Sequence, residues 1–299
     1  MTVRLMFYLK RRISAWSASA LDKIKTQTLR RKCIQFLAML IYNADIKRWG
    51  TGTISRSQLK QVCVPGLNCY SCPGAIASCP LGALQNTIAN GRFPFFVTGF
   101  LLLTGTLLGR MVCAFLCPVG LVQELLHYIP SPKLKKTKKT LAITRPLTYI
   151  KYVLLVVFCI TLPLLLFFKD GIGSPLFCSF FCPAGTLEAG VPLLLSNETL
   201  RSAAGFLFKW KLGIALLLVL ASIGIYRPFC RFFCPLGAIY SFFNKTALFG
   251  IKLDEKKCTH CNSCVQHCKM DTLHVNDHEC IRCGECIKHC HVGALNQYL

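Results

Sequence analysis

The cysteine pattern of the tail constrains this chain more than any other feature. Cys258, Cys261, Cys264 and Cys268 follow a C-x2-C-x2-C-x3-C spacing, and Cys280, Cys283, Cys286 and Cys290 repeat it. Iron in a cubane cluster takes four soft thiolate ligands. Three closely spaced cysteines wrap one corner of the cube, so the fourth must approach from elsewhere. In this spacing the fourth cysteine of each run serves the other cluster. The expected sets are therefore Cys258, Cys261, Cys264 and Cys290 for one [4Fe–4S] cluster, and Cys280, Cys283, Cys286 and Cys268 for the second. A zinc module or a disulfide knot fits less well, because zinc usually takes its ligands in widely separated pairs.

This tail resembles the bacterial two-cluster ferredoxins, with Lys269 and His291 where that family usually carries a proline after the fourth cysteine. The resemblance implies a small α+β electron-carrying domain over 250–299. Everything upstream is then what this head is attached to.

The chain has 299 residues, 53% of them hydrophobic, which is too apolar for a soluble domain of this size and points to a membrane. Eight of its 20 cysteines lie in the tail and twelve do not. There is no C-x-x-C-H for covalent haem, no C-x3-C-x2-C run, no G-x-G-x-x-G and no P-loop, so haem attachment, radical chemistry and nucleotide binding find no support. The formal charge of +23 overstates the basic character, since thiolate-bound clusters are net negative. The basic residues gather at the flanks of apolar runs, which marks topology and anionic-lipid contact, not a nucleic-acid surface.

Residues 1–32 are basic and read as an amphipathic segment on the cytoplasmic face. Four apolar runs follow: 33–49, short for a bilayer, then Phe93–Val112, Tyr149–Phe168 with Pro163 inside it, and Phe206–Tyr226. Lys133, Lys135, Lys136, Lys138 and Lys139 follow the second run, while 169–205 has only Lys169 and Arg201. By the positive-inside rule 113–148 and the tail face the cytoplasm, and 50–92 and 169–205 face the other side. Gly99, Gly105 and Gly109 permit close helix packing.

One motif recurs through this membrane region, expected over 33–249. Cys113-x3-Cys117-Pro-Val-Gly, Cys178-x3-Cys182-Pro-Ala-Gly and Cys230-x3-Cys234-Pro-Leu-Gly are full copies, and Cys79-Pro-Leu-Gly after Cys69-x2-Cys72-Pro is a partial one. A spacing of four places both thiols on one face of a helical turn, which the proline ends and the glycine lets turn. Each copy supplies two ligands, so copies must pair. The order of motifs and spans makes an internal tandem repeat with halves facing across a pseudo-two-fold axis. One cluster is expected at the inner edge, on Cys113, Cys117, Cys230 and Cys234. A second is expected at the outer edge, on Cys178, Cys182 and two of Cys69, Cys72 and Cys79, with Cys63 in reserve. Disulfides at the outer face and unmetallated packing thiols at the inner one are the plainer alternatives. Cys33 and Cys159, alone in apolar runs, read as packing residues. Glu124 and His127, three apart after the inner motif, are candidates to meet a quinone headgroup, although such a pair is more often a solvated helix face.

Cys-x3-Cys-Pro motifs at helix ends with a two-cluster tail resemble the NapH/MauN/NosR-type membrane polyferredoxins over most of residues 30–290. The resemblance implies a polytopic inner-membrane iron–sulfur protein of about four spans, passing electrons between the quinone pool or a cytoplasmic carrier and an outer-side partner. It implies an electron-transfer subunit with no substrate chemistry of its own, in contact with lipid and with redox proteins on one or both faces. Two other classes compete: a membrane maturation factor that reduces a metal or disulfide on a partner, and the iron–sulfur subunit of a quinol dehydrogenase.

Overall fold

The computed structural model describes residues 28–134 and 136–298. Most of the basic segment expected over 1–32 lies outside them. Its end belongs to a helix: 28–42 forms α1, which runs through residue 32. Along α1 the stripe Arg31, Gln35, Ala38 and Tyr42 is buried at helical spacing, while Ile34, Phe36, Leu37, Leu40 and Ile41 face outward. This is the inverse of a soluble amphipathic helix. The helix ends at 42, so the run expected over 33–49 is broken by a turn.

The body is helical. α2 (Pro80–Ala89) and α3 (Phe95–Leu108) form a hairpin, and α4 (Pro118–His127) follows the Cys113/Cys117 motif. The long α5 (Thr140–Asp170) and α6 (Phe206–Gly224) are, among the described residues, the two helices apolar and long enough to cross a membrane, while α3, with 14 residues, is shorter. Leu102 and Leu103 on α3, Val156, Ile160 and Leu165 on α5, and Leu216, Leu217 and Leu220 on α6 all face outward. Within an apolar core the body also buries polar groups: Arg110, Lys151, Arg227, Gln85 and Gln123 are all withdrawn from solvent. Apolar outer faces with buried polar groups paired inside are compatible with a lipid solvent.

α7 (Pro235–Phe242) leads into the tail. There β1 (Gly250–Leu253) pairs antiparallel with β2 (Leu295–Tyr298), in register Gly250 to Tyr298, and so ties the two ends of the cysteine-rich segment together. The tail is anchored on the body by charge. Glu279 takes Arg110 Nη1 at 2.7 Å and Lys151 Nζ at 2.6 Å, both cations fully out of water. Asp271 takes Arg231 Nη1 at 2.6 Å. Asn244 Nδ2 donates to the Asp277 and Cys280 carbonyls, and the Arg282 guanidinium donates to the Asn244 and Phe249 carbonyls.

Removing one partner of a buried pair leaves an uncompensated charge worth about 3–5 kcal/mol. Glu279→Gln is therefore expected to loosen the tail from the body, read as faster amide exchange across 244–290 with α5 and α6 unchanged. Uniform protection in the variant would show that the pair does not hold the tail.

Candidate metal centres

Each Cys-x3-Cys-Pro copy folds alike. The first cysteine sits in a short helical turn: Cys113 in Met111–Phe115, Cys178 in Leu176–Phe180, Cys230 in Phe229–Phe233. The second cysteine is extended and caps the next helix, with proline as its first residue. The proline thus opens a helix where the sequence suggested that it ends one. Its missing N–H is one that a helix start leaves unpaired anyway. The backbone N–H of the motif glycine points back at the capping sulfur, as in Gly237 N to Cys234 Sγ at 3.3 Å. The same contact joins Gly82 to Cys79, Gly120 to Cys117 and Gly185 to Cys182. A helix N-terminus facing a sulfur favours its thiolate. The glycine is required for space: a Cβ on Gly120 would lie 2.8 Å from the Cys113 carbonyl oxygen and 2.9 Å from Arg227 Nη1.

The cysteines gather in quartets. Cys113, Cys117, Cys230 and Cys234 are buried and close enough for their charges to interact. Cys69, Cys79, Cys178 and Cys182 line one cavity of about 270 Å³. Cys72 does not line it, and its thiol instead meets Asn43 Oδ1 at 3.5 Å. Cys63 is buried in the separate wall formed with Ser78. Cys159 lies behind the second quartet, near Cys182 and Cys79, and Cys33 is exposed. In the tail, Cys261 and Cys290 each fall beside Cys264, and Cys268 beside Cys280, Cys283 and Cys286. His267 and His289, each preceding a crossing cysteine, stack with ring centroids 4.0 Å apart.

The two body quartets stand close together, where the charge pattern led one to expect a bilayer's thickness between them. The segment 65–69 runs between them. The Leu67 N–H faces Cys117 and the next N–H, of Asn68, faces Cys79. Consecutive residues are about 3.5 Å apart, so the quartets are near neighbours. Fully buried Tyr240 sits close to Cys79 on one side and to Cys113 and Cys117 on the other, its hydroxyl donating to the Pro65 carbonyl at 2.9 Å. Positive-inside counting places charges on loops but says nothing of how deeply a loop folds back into the body.

The surroundings fit anionic iron–sulfur clusters. Arg227, Arg110 and Lys151, all fully buried, face the Cys113/Cys117/Cys230/Cys234 quartet. Burial pushes the thiols of Cys69 and Cys182 up to about 12, so their thiolates need a cation's compensation. Every cysteine among the described residues is a free thiol. Among those residues no three His, Cys, Asp or Glu side chains close on a single ion, whereas quartets set around a cavity suit a cube with an iron at each corner.

Glu124 is not available to a quinone. Arg31 Nη2 donates to both its oxygens at 2.9 and 3.0 Å, the Tyr226 hydroxyl donates to it as well, and Arg227 Nη2 stands 3.4 Å away. Burial opposes its charge, yet Arg227 and Arg31 hold its carboxyl down to about 2. His127 packs edge-on against Tyr226.

This architecture is that of a cysteine-ligated iron–sulfur protein. Three segments, 90–137, 152–196 and 207–254, match the 4Fe-4S binding domain family, and each contains one Cys-x3-Cys-Pro copy. The chain is 27% identical over 226 residues to uncharacterized protein MJ0750 of Methanocaldococcus jannaschii, covering 65% of this chain and 84% of that protein. It is 26% identical to the putative electron transport protein YccM of Escherichia coli (66% and 54% covered). It is also 26% identical to the methylamine utilization ferredoxin-type protein MauN of Methylorubrum extorquens (54% and 47% covered). The matches to YccM and MauN thus span about half of each. They bear out the resemblance to ferredoxin-type electron-transport proteins read from the motifs. No solved structure matches the chain.

The side chains around the first quartet were missed in sequence, although one signal was there. Six residues after the capping cysteine of each copy stand Gln85, Gln123, Glu188 and Tyr240, and each sits beside a quartet, Glu188 half-buried and the other three buried.

Gly120→Ala is expected to lower iron content by disturbing the Cys113/Cys117 pair, while Gly99→Ala, which meets nothing within 4 Å, leaves it unchanged. Equal iron in both variants would remove the steric account of the motif glycine.

Proposed function

We propose that this chain is a membrane iron–sulfur electron relay holding four [4Fe–4S] clusters on the four cysteine quartets. The observation that carries this reading is that the quartets form one series. Cys261 is exposed at the head of the tail, and Cys264 neighbours Cys286 of the next quartet. Tyr226 and Arg31 lie between Cys283 and the first body quartet. Segment 65–69 and Tyr240 join that quartet to the second. Bound there, the clusters would supply one-electron redox centres. The chain's own residues fix the ligands, supply buried positive charge and keep water from the inner sites.

α5 and α6 cross the bilayer, and α1 and α3, apolar on their outer faces, complete the membrane body. The lysines of 133–139 place the tail on the cytoplasmic side of the cell membrane, with a redox protein docking at exposed Cys261 and another partner beyond the second body quartet. A quinone finds no free carboxylate at Glu124. A cavity of about 570 Å³, lined by Lys60, Asn86, Thr87 and Phe95, shares Tyr70 and Gly82 with the second body quartet and offers it an amphipathic seat. A thiol-exchanging maturation factor is less well served, because burial makes the Cys69 and Cys182 thiols poor nucleophiles.

Iron and labile sulfide on anaerobically purified protein test this. Four clusters require about 16 irons per chain, and Cys113→Ala with Cys230→Ala should remove about four. About eight irons, unaffected by the double substitution, would confine clusters to the tail and end the relay reading.

A further inference from the structure

Gln85 and Gln123 occupy the same register, six residues after capping cysteines Cys79 and Cys117. Their surroundings repeat bond for bond. Gln85 Oε1 accepts the Phe177 N–H at 3.0 Å, and its Nε2 donates to Leu81 O at 3.3 Å and to Cys178 Sγ at 3.2 Å. Gln123 Oε1 accepts the Phe229 N–H at 3.0 Å, and its Nε2 donates to Val119 O and to Cys230 Sγ, both at 3.2 Å. Both side chains are buried. The amide orientation is fixed in each case, because only the oxygen can receive a backbone N–H. The nitrogen must therefore face the sulfur. Each glutamine belongs to the first half of the repeat, and each sulfur is the leading cysteine of a motif in the second half.

The counterparts in the second half do something else. Glu188 accepts the Cys69 N–H at 2.8 Å, and Tyr240 donates to the Pro65 carbonyl. Neither donates to a sulfur. The position thus works reciprocally between halves, but only the two glutamines put an N–H on a candidate ligand.

We propose that Gln85 and Gln123 are positioning residues that set the reduction potentials of the two body sites, each through one N–H···S bond to the leading cysteine of the opposite half. This rests on the relay reading, since it requires that the quartets hold clusters. A donor to a ligand sulfur stabilises negative charge there, and the reduced cluster carries one more electron than the oxidised one. The bond therefore favours reduction, and its loss lowers the potential. A neutral amide does this without a titrating proton. The backbone N–H groups of Phe177 and Phe229, clamped by the same amides, hold the leading cysteines at a fixed angle to the donor.

The test uses the full-length protein in membranes or detergent. Gln85→Met and Gln123→Met keep side-chain length and remove the donor. Iron per chain is measured first, then each cluster's midpoint by redox titration followed by electron paramagnetic resonance. The expected result is about 16 irons in both variants, with one midpoint moved lower in each. In Gln123→Met the displaced signal is the one lost on Cys113→Ala with Cys230→Ala, and in Gln85→Met it is a different one. Unchanged midpoints at full iron content overturn the proposal and leave the relay standing, whereas about eight irons in the unaltered protein overturns the relay itself. Should a variant fail to accumulate, unaltered protein labelled with ¹⁵N only in glutamine side-chain amides decides the matter. Hyperfine coupling of that nitrogen to two reduced clusters supports the proposal, and its absence from all of them overturns it.

Discussion

Arg110, Lys151 and Arg227 are held wholly out of water around one cysteine quartet, and the carboxylates that face them are shared. Glu279 serves both Arg110 and Lys151, while Glu124 serves both Arg227 and Arg31. Each carboxylate is thus outnumbered, and positive charge is left over in a region of low dielectric. An uncompensated buried cation is among the costliest things a fold can contain. An anion among the cations would compensate them, and four thiolates around an iron–sulfur core, as proposed above, would provide one. The surroundings are consistent with this need: outward apolar faces, helix N-termini aimed at sulfur, and a tail docked by Glu279, one of the carboxylates that hold the cations.

Because Glu279 lies next to Cys280, the anchor of the tail and a candidate ligand of the nearer tail site are adjacent residues. Docking and electronic contact are therefore one event. A tail that lifted from the body would carry its cysteines away from Tyr226 and expose two buried cations together. The head is in this sense part of the helical body, even though its cysteine spacing is that of a free-standing carrier.

Much of this was legible in the chain. The tail quartets follow from local spacing, which needs no knowledge of the fold. The sharing of ligands between distant copies follows from counting, since each copy offers two thiols. What could not be read was depth. Segment 65–69 carries no charge, and its Pro65-Gly66 pair announces only a turn, so nothing in it announces that it folds between the quartets. Glu124 looked free because Arg31 and Arg227 are 93 residues before it and 103 after it. The register of Gln85, Gln123, Glu188 and Tyr240 was present in plain view. It was hidden because those four residues differ in chemistry, and only their burial reveals a common position.

The cross-half bonds from Gln85 to Cys178 and from Gln123 to Cys230 join residues 93 and 107 positions apart. Each body quartet likewise draws two cysteines from either half. Neither site can close before its own second-half cysteines, ending at Cys182 or Cys234, have been made, and closing such long loops carries an entropic cost that a completed site must repay. The tail quartets are local and can fill as soon as the tail emerges. Assembly therefore has a built-in order problem: the first-half cysteines, Cys69 and Cys79 for one site and Cys113 and Cys117 for the other, must stay reduced and unmispaired until their second-half partners arrive.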